Sequence, residues 1–111
     1  MASMTRLPFV VSTYLTTPKT ELGPMIEGLF TPDAVVRDDG QTHVGADAVR
    51  VWAGHVATAP GFTRTVTGSV TAGDAVIVTA RLAGDFPGSP VDLHHHFTVT
   101  DGRISALTIC P

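Results

Sequence analysis

Cysteine is almost missing from this sequence: Cys110 is the single one among 111 residues, so neither an intramolecular disulfide nor a cysteine-rich metal framework can form. A reducing, cytoplasmic setting is the expectation. Basic residues are scarce as well. Seven Lys and Arg stand singly along a chain of net charge −3, and no basic stripe is present to hold a phosphate backbone. Long apolar runs are also lacking; stretches such as Ala75 to Val78 fall far short of a bilayer span. Met1 to Arg6 carries no apolar signal core and no cleavage site. Nucleic acid and membrane are therefore not expected partners.

What is present is a globular composition: 43% apolar and 15% charged residues, enough for one core and one domain over residues 1–111. So low a charge content points to apolar surface covered in a subunit contact. Leu7 to Leu15 is apolar on one side and ends near Pro18. Met25, Ile26, Leu29 and Phe30 fall at helical spacing after Pro24, which suits the first helical position. Two short helices follow from this, with Thr16 to Gly23 between them. Pro32 ends the helical pattern. Ala34 to Asp38 then reads as a strand, Asp39-Gly40 as a tight hairpin turn and Gln41 to Val44 as the return. Val49, Trp52, Ala53 and Val56 give a third helix closed by Pro60-Gly61, with Asp47 in its first turn. Phe62 to Thr71, Ala75 to Ala83, Val91 to Thr100 and Arg103 to Ile109 read as four strands with short turns, an antiparallel meander. Helices at the front and strands at the back predict an α+β architecture.

Alternation assigns faces. In Val91 to Thr100, the residues Val91, Leu93, His95, Phe97 and Val99 share one side, and His95 is the one polar group on it. An imidazole removed from water is either a core residue bonded to a backbone carbonyl or a donor into a pocket. Asp92, His94, His96 and Thr98 face the other way. His94 and His96 form an H-x-H pair, but without a third strong ligand the pattern predicts a polar outer face or subunit contact rather than a metal site. In the first strand Ala34, Val36 and Asp38 share a side, so Asp38 is a carboxylate closing an apolar row: a general base or a solvated turn residue. Tyr14, the only tyrosine, lies among apolar residues of the first helix, where its phenol either anchors packing or donates into a cavity. Trp52 falls on the apolar stripe of the third helix, as core or as a pocket wall. His43 and His55 read as surface or edge residues. Cys110 reads as a small apolar residue.

Leu29-Phe30-Thr31-Pro32-Asp33-Ala34-Val35-Val36, then Gly45-Ala46-Asp47-Ala48-Val49-Arg50-Val51-Trp52, then the run of strands, resemble the SnoaL-like and ketosteroid-isomerase-like branch of the nuclear-transport-factor-2-like superfamily. The resemblance implies a cone: a curved antiparallel sheet wrapped around about three helices, with an internal pocket. It also implies a homodimer formed through the outer sheet face. Residue by residue, it places Asp38 at the proton-shuttling base, Tyr14 at the phenol of the oxyanion hole and His95 at the second oxyanion donor. That proton-shuttle chemistry is a known worked case of pKa tuning. The pocket wall would be Val36, Trp52, Leu93, Phe97 and Phe86, the last in a mouth loop from Gly84 to Pro90. The implied ligand is a small hydrophobic carbonyl compound, handled by an isomerase or polyketide-cyclase type of reaction or only bound, with no cofactor and no metal. Two departures stand out: the second donor is His95 instead of an acid, and Tyr14 has no supporting phenols. An epoxide hydrolase of the limonene type would need Arg81 and Asp92 in one cavity.

Overall fold

The computed structural model describes residues 7–111; the reading of Met1 to Arg6 falls outside them. The order of elements is α1 (Phe9–Thr16), a single 3-10 turn (Lys19–Glu21), α2 (Leu22–Leu29), β1 (Phe30–Asp38), β2 (Gln41–Val44), α3 (Ala46–Thr58), β3 (Phe62–Ala72), β4 (Ala75–Gly84), β5 (Val91–Thr100) and β6 (Arg103–Cys110). Among the described residues no helix is long and apolar enough to cross a membrane.

The strands form one sheet in the order β2-β1-β6-β5-β4-β3. The expected meander is there: β3 to β6 pair antiparallel in sequence order. The expectation of an all-antiparallel sheet is corrected, because β1 lies parallel to β6, with Val36 opposite Leu107. This makes a curved, open, mixed sheet. Bulges between Val66 and Gly68 and between Thr98 and Val99 contribute bends.

Turn chemistry explains the register. Asp38 pairs with Gln41 across Asp39-Gly40, whose φ angles of 53° and 76° are the left-handed pair that a two-residue hairpin needs. The same device joins β5 to β6, where Asp101 and Gly102 have φ of 51° and 80°. Several boundaries differ from expectation, and two of them bear on the first strand and second helix. Phe30, read as helical, is the first residue of β1, since strand pairing with Ile104 begins there. Pro24 stands third in α2 rather than first, still within the turn whose N–H groups have no helical partner. Pro32 does not exclude a strand, because the β1–β6 pairing is irregular between Phe30 and Val35 and asks no ladder bond of it.

The concave face of the sheet closes on the helices. Val11, Tyr14, Ile26 and Leu29 from the first two helices meet Val49, Trp52 and Ala53 of α3 and Phe30, Val36, Val78, Phe97 and Leu107 of the sheet. Gly84 permits a close approach where the end of β4 meets the start of β3: a Cβ there would lie 2.3 Å from the Gly61 carbonyl oxygen and 3.0 Å from Phe62 Cα. Gly84→Ala must push β3 away at the Phe62–Gly84 pair. The expected loss is about 1–3 kcal/mol, read as a lowered urea midpoint; an unchanged midpoint would contradict the contact.

Candidate active site

Asp38 ends β1, and the apolar alternation of that strand turns its side chain toward the helices while the Asp39-Gly40 turn keeps it at the open end of the cone. It is half-buried and accepts a hydrogen bond at 3.0 Å from the Trp52 indole N–H. Trp52 is itself 3% exposed, fixed on α3 with its ring edge-on to Phe30. The pair thus answers both readings of Trp52: it is core, and its one polar atom anchors the carboxylate.

Asp38 lies on the wall of a cavity of about 430 Å³ whose other walls include Phe62, Leu82, Phe86, Val91, Leu93 and Ile109. Leu93 of β5 and Phe86, from the loop between β4 and β5, both line this cavity. On its other side Asp38 borders a polar cleft shared with His43, Trp52 and His55. Both imidazoles are at the edge, as expected, yet close to the carboxylate.

Tyr14, His95, Phe97 and Val36 are placed deeper. They are 3%, 1%, 2% and 0% exposed and pack into the interior instead of facing the 430 Å³ cavity. The Tyr14 ring meets Phe30 and Phe97 edge-on, with centroids 6.2 and 5.6 Å away. Burial pushes its hydroxyl up to about 12, against a smaller opposing pull from the Arg64 charge; Asp38 adds to the rise. The Asp38 and Tyr14 groups thus lie within electrostatic reach of each other. Tyr14 keeps its proton and remains a donor at neutral pH.

His95 stacks on Phe97, its centroid 6.3 Å away, and its Nδ1 is sealed from solvent without a hydrogen-bond partner. Burial, followed by the nearby Arg64 charge, brings its pKa down to about 4, offset in part by backbone groups of Val78 and Leu93. The imidazole is neutral at pH 7. An unfolded chain protonates this residue near pH 6.5, whereas the folded chain resists until about pH 4. Stability from the neutral ring is therefore whole above pH 6.5 and falls away between there and pH 4, by roughly 3 kcal/mol. In urea titrations His95→Leu should flatten this acid limb relative to the native chain; parallel pH profiles for the two would contradict it.

Arg64 is the residue that sequence reasoning missed. Its guanidinium lies over the rings of Tyr14 and Phe62, 5.6 and 5.7 Å from their centroids, and donates from Nη1 to the Leu15 carbonyl at 3.3 Å. The signal was available: Arg64 shares a strand face with Phe62. By contrast, Arg81 and Asp92 face outward and clasp each other across β4 and β5 at 2.9 and 3.2 Å. They cannot serve a water inside the cone, which removes the epoxide-hydrolase set proposed for them. His94 and His96 also lie on that outer face, and His94 Nδ1 bonds the Thr79 hydroxyl at 2.9 Å. Among the described residues no group of three or more His, Cys, Asp or Glu side chains could hold a metal.

The SnoaL-like domain family matches residues 23–107. A solved structure of a candidate polyketide cyclase from Sinorhizobium meliloti is 36% identical, over 94% of this chain and 95% of that one, with a TM-score of 0.85. A Catenulispora acidiphila protein of ketosteroid-isomerase-like fold, solved with trimethylamine, is 20% identical over 96% and 87% of the two chains, with a TM-score of 0.73. An epoxide hydrolase of the limonene type from M. tuberculosis is 19% identical over 92% and 79%, with a TM-score of 0.72. These last two share the fold. No curated protein matches the sequence. With the cone, the Phe30 to Asp38 strand and the α3 tryptophan in place, the chain belongs to the SnoaL-like family.

Proposed function

We propose that the chain takes a small hydrophobic carbonyl compound into the cavity beside Asp38 and that Asp38 removes a proton alpha to the carbonyl, as an isomerase or polyketide cyclase would. The observation that carries this reading is a carboxylate with one oxygen tethered to Trp52, set in a wall that, apart from Asp39 beside it, is made of Phe62, Leu82, Phe86, Leu93 and other apolar residues. A base needs a fixed position within reach of the carbon acid and walls that hold the rest of the ligand. The carboxylate supplies the first and the apolar lining the second. The 36%-identical candidate polyketide cyclase supports this reaction class. In this reading Tyr14 and His95, each neutral and holding a proton, donate to the developing enolate only when the core moves to bring them to the cavity. A β,γ-unsaturated ketone reports turnover through the ultraviolet band of its conjugated product. Equal rates in the native protein and Asp38→Asn would refute the assignment.

A second reading, ligand binding without chemistry, has its own support in the packing of the two donors. Tyr14 and His95 are 3% and 1% exposed and lie behind the cavity wall, so a ligand held at Asp38 does not meet them without movement of the core. This reading expects Tyr14→Phe and Asp38→Asn to bind as the native chain does, with no turnover in any of them.

We further propose a cytoplasmic homodimer through the outer sheet face, where Val70, Ile77, His96 and Thr108 stand in register across four strands and Val70 is 63% exposed. Covering such a row removes apolar surface from water. Sedimentation at micromolar concentration should give twice the chain mass, and His96→Glu should shift it toward monomer. A monomer for the native chain would contradict the proposal.

A further inference from the structure

We propose that the chain carries a second ligand site, for a small organic carboxylate, in the side cavity between the end of α1 and the start of β3. This cavity, about 460 Å³, is lined by Leu15, Thr16, Thr17, Thr20, Lys19 and Arg64, with Phe62 as the wall it shares with the cavity at Asp38. Two cations and no carboxylate border it. That is unusual in a chain with ten acidic and seven basic residues. Four other cavities each include an acid: Glu27 in one, Glu21 in another, and Asp38 with Asp39 in two. Glu21 follows Lys19 closely in sequence but borders the neighbouring cavity instead.

Neither cation is neutralised by an acid among the described residues. Lys19 Nζ faces the carbonyl end of α3, where the carbonyls of Val56, Ala57, Ala59 and Pro60 surround it. Arg64 Nη1 bonds the Leu15 carbonyl near the end of α1. Helix-end carbonyls carry partial charge only, so a positive field is left in the cavity. Arg81 shows, in the same molecule, how a guanidinium is satisfied: its Nε and Nη2 edge grips both oxygens of Asp92. In Arg64 the corresponding Nε meets no acceptor, though it is sealed from solvent. The rings of Tyr14 and Phe62 hold the guanidinium in place, so its charge is pre-set at the cavity wall. A small carboxylate is the anion that the two cations draw into this cavity by charge, the Nε edge of Arg64 being itself sealed. Phe62, half-buried beside it, offers a face for an aromatic or aliphatic acid to rest on.

The site does not depend on the role given to Asp38, and benzoate against its neutral counterpart benzamide tests it. Benzoate should bind the native protein at least about tenfold tighter than benzamide and weaken with added salt. It should shift the amide resonances of Thr17, Thr20 and Arg64. Arg64→Gln should lose this preference, and Arg64→Lys, which keeps the charge, should retain it. Thr20 is exposed, so Thr20→Glu leaves the packing intact while placing a competing carboxylate at the cavity; it too should abolish the preference. Equal binding of benzoate and benzamide would overturn the proposal. So would no saturation below roughly 10 mM, shifts confined to the cavity around Leu93 and Ile109, or unchanged benzoate affinity in Thr20→Glu.

Discussion

Asp38→Asn should lower kcat for isomerisation of a β,γ-unsaturated cyclic ketone by about 10²- to 10⁴-fold, with KM changed by less than about threefold. Asparagine keeps the shape of the side chain and can still accept the Trp52 indole N–H through its carbonyl oxygen, so the cavity wall and the tether persist. What disappears is the basic, negatively charged oxygen that takes the proton. The expected pattern is therefore a loss confined to the chemical step, with ligand affinity kept. A fall in affinity with kcat intact would instead make Asp38 a binding group, and the reaction would need another base.

The other large effect concerns Trp52. Trp52→Ala should cost about 3–5 kcal/mol of stability, because an indole 3% exposed, edge-on to Phe30, leaves a void in the layer that joins α3 to the sheet. Trp52→Phe separates packing from tethering. It fills most of the volume and removes only the N–H that holds Asp38, so its stability loss should be smaller, about 1–3 kcal/mol. Turnover should nevertheless fall in Trp52→Phe, since the freed carboxylate samples positions away from the ligand. Denaturant titration and steady-state rates on the two variants check this. A phenylalanine variant as active as the native chain would show that the tether is structural alone.

Both effects rest on a contact that could not be read along the chain. Asp38 closes a strand and Trp52 sits on the apolar stripe of a helix, and each was visible as such in the alternation and the 3.6-residue period. Their meeting depends on how α3 lies against β1, which local pattern does not encode. The same limit applies to the parallel β1–β6 pairing, made between strands at opposite ends of the chain; a hairpin announces itself by Asp-Gly, whereas a distant pairing has no local signal. On β5 the reading went further, because a half-buried strand writes its faces into the sequence: His95 inward, His94 and His96 outward. Burial depth was not legible. Tyr14, His95 and Phe97 occur on the expected side but lie within the packed interior, since period alone does not distinguish a core residue from a wall residue.

Arg64 is the instructive omission. Arginine is ordinarily a surface residue, and on β3, most of whose residues are exposed, it was passed over. Yet its position two residues after Phe62 put it on the inner side, and there it sets much of the electrostatics of the cone. It depresses the His95 imidazole after burial has done so, and it opposes the burial-driven rise of the Tyr14 hydroxyl. One cation thus reinforces the burial that keeps His95 neutral and limits how weak an acid Tyr14 becomes.

Exchange of the alpha protons of the ketone for deuterium in D₂O, followed by proton NMR, tests the central claim with the least intervening chemistry. It needs neither the correct product nor the natural substrate, only a base beside a bound carbonyl compound. The account predicts loss of the alpha-proton signal with the native protein and background exchange with Asp38→Asn. A ketone that saturates the native protein while its alpha protons exchange no faster than in buffer would contradict it.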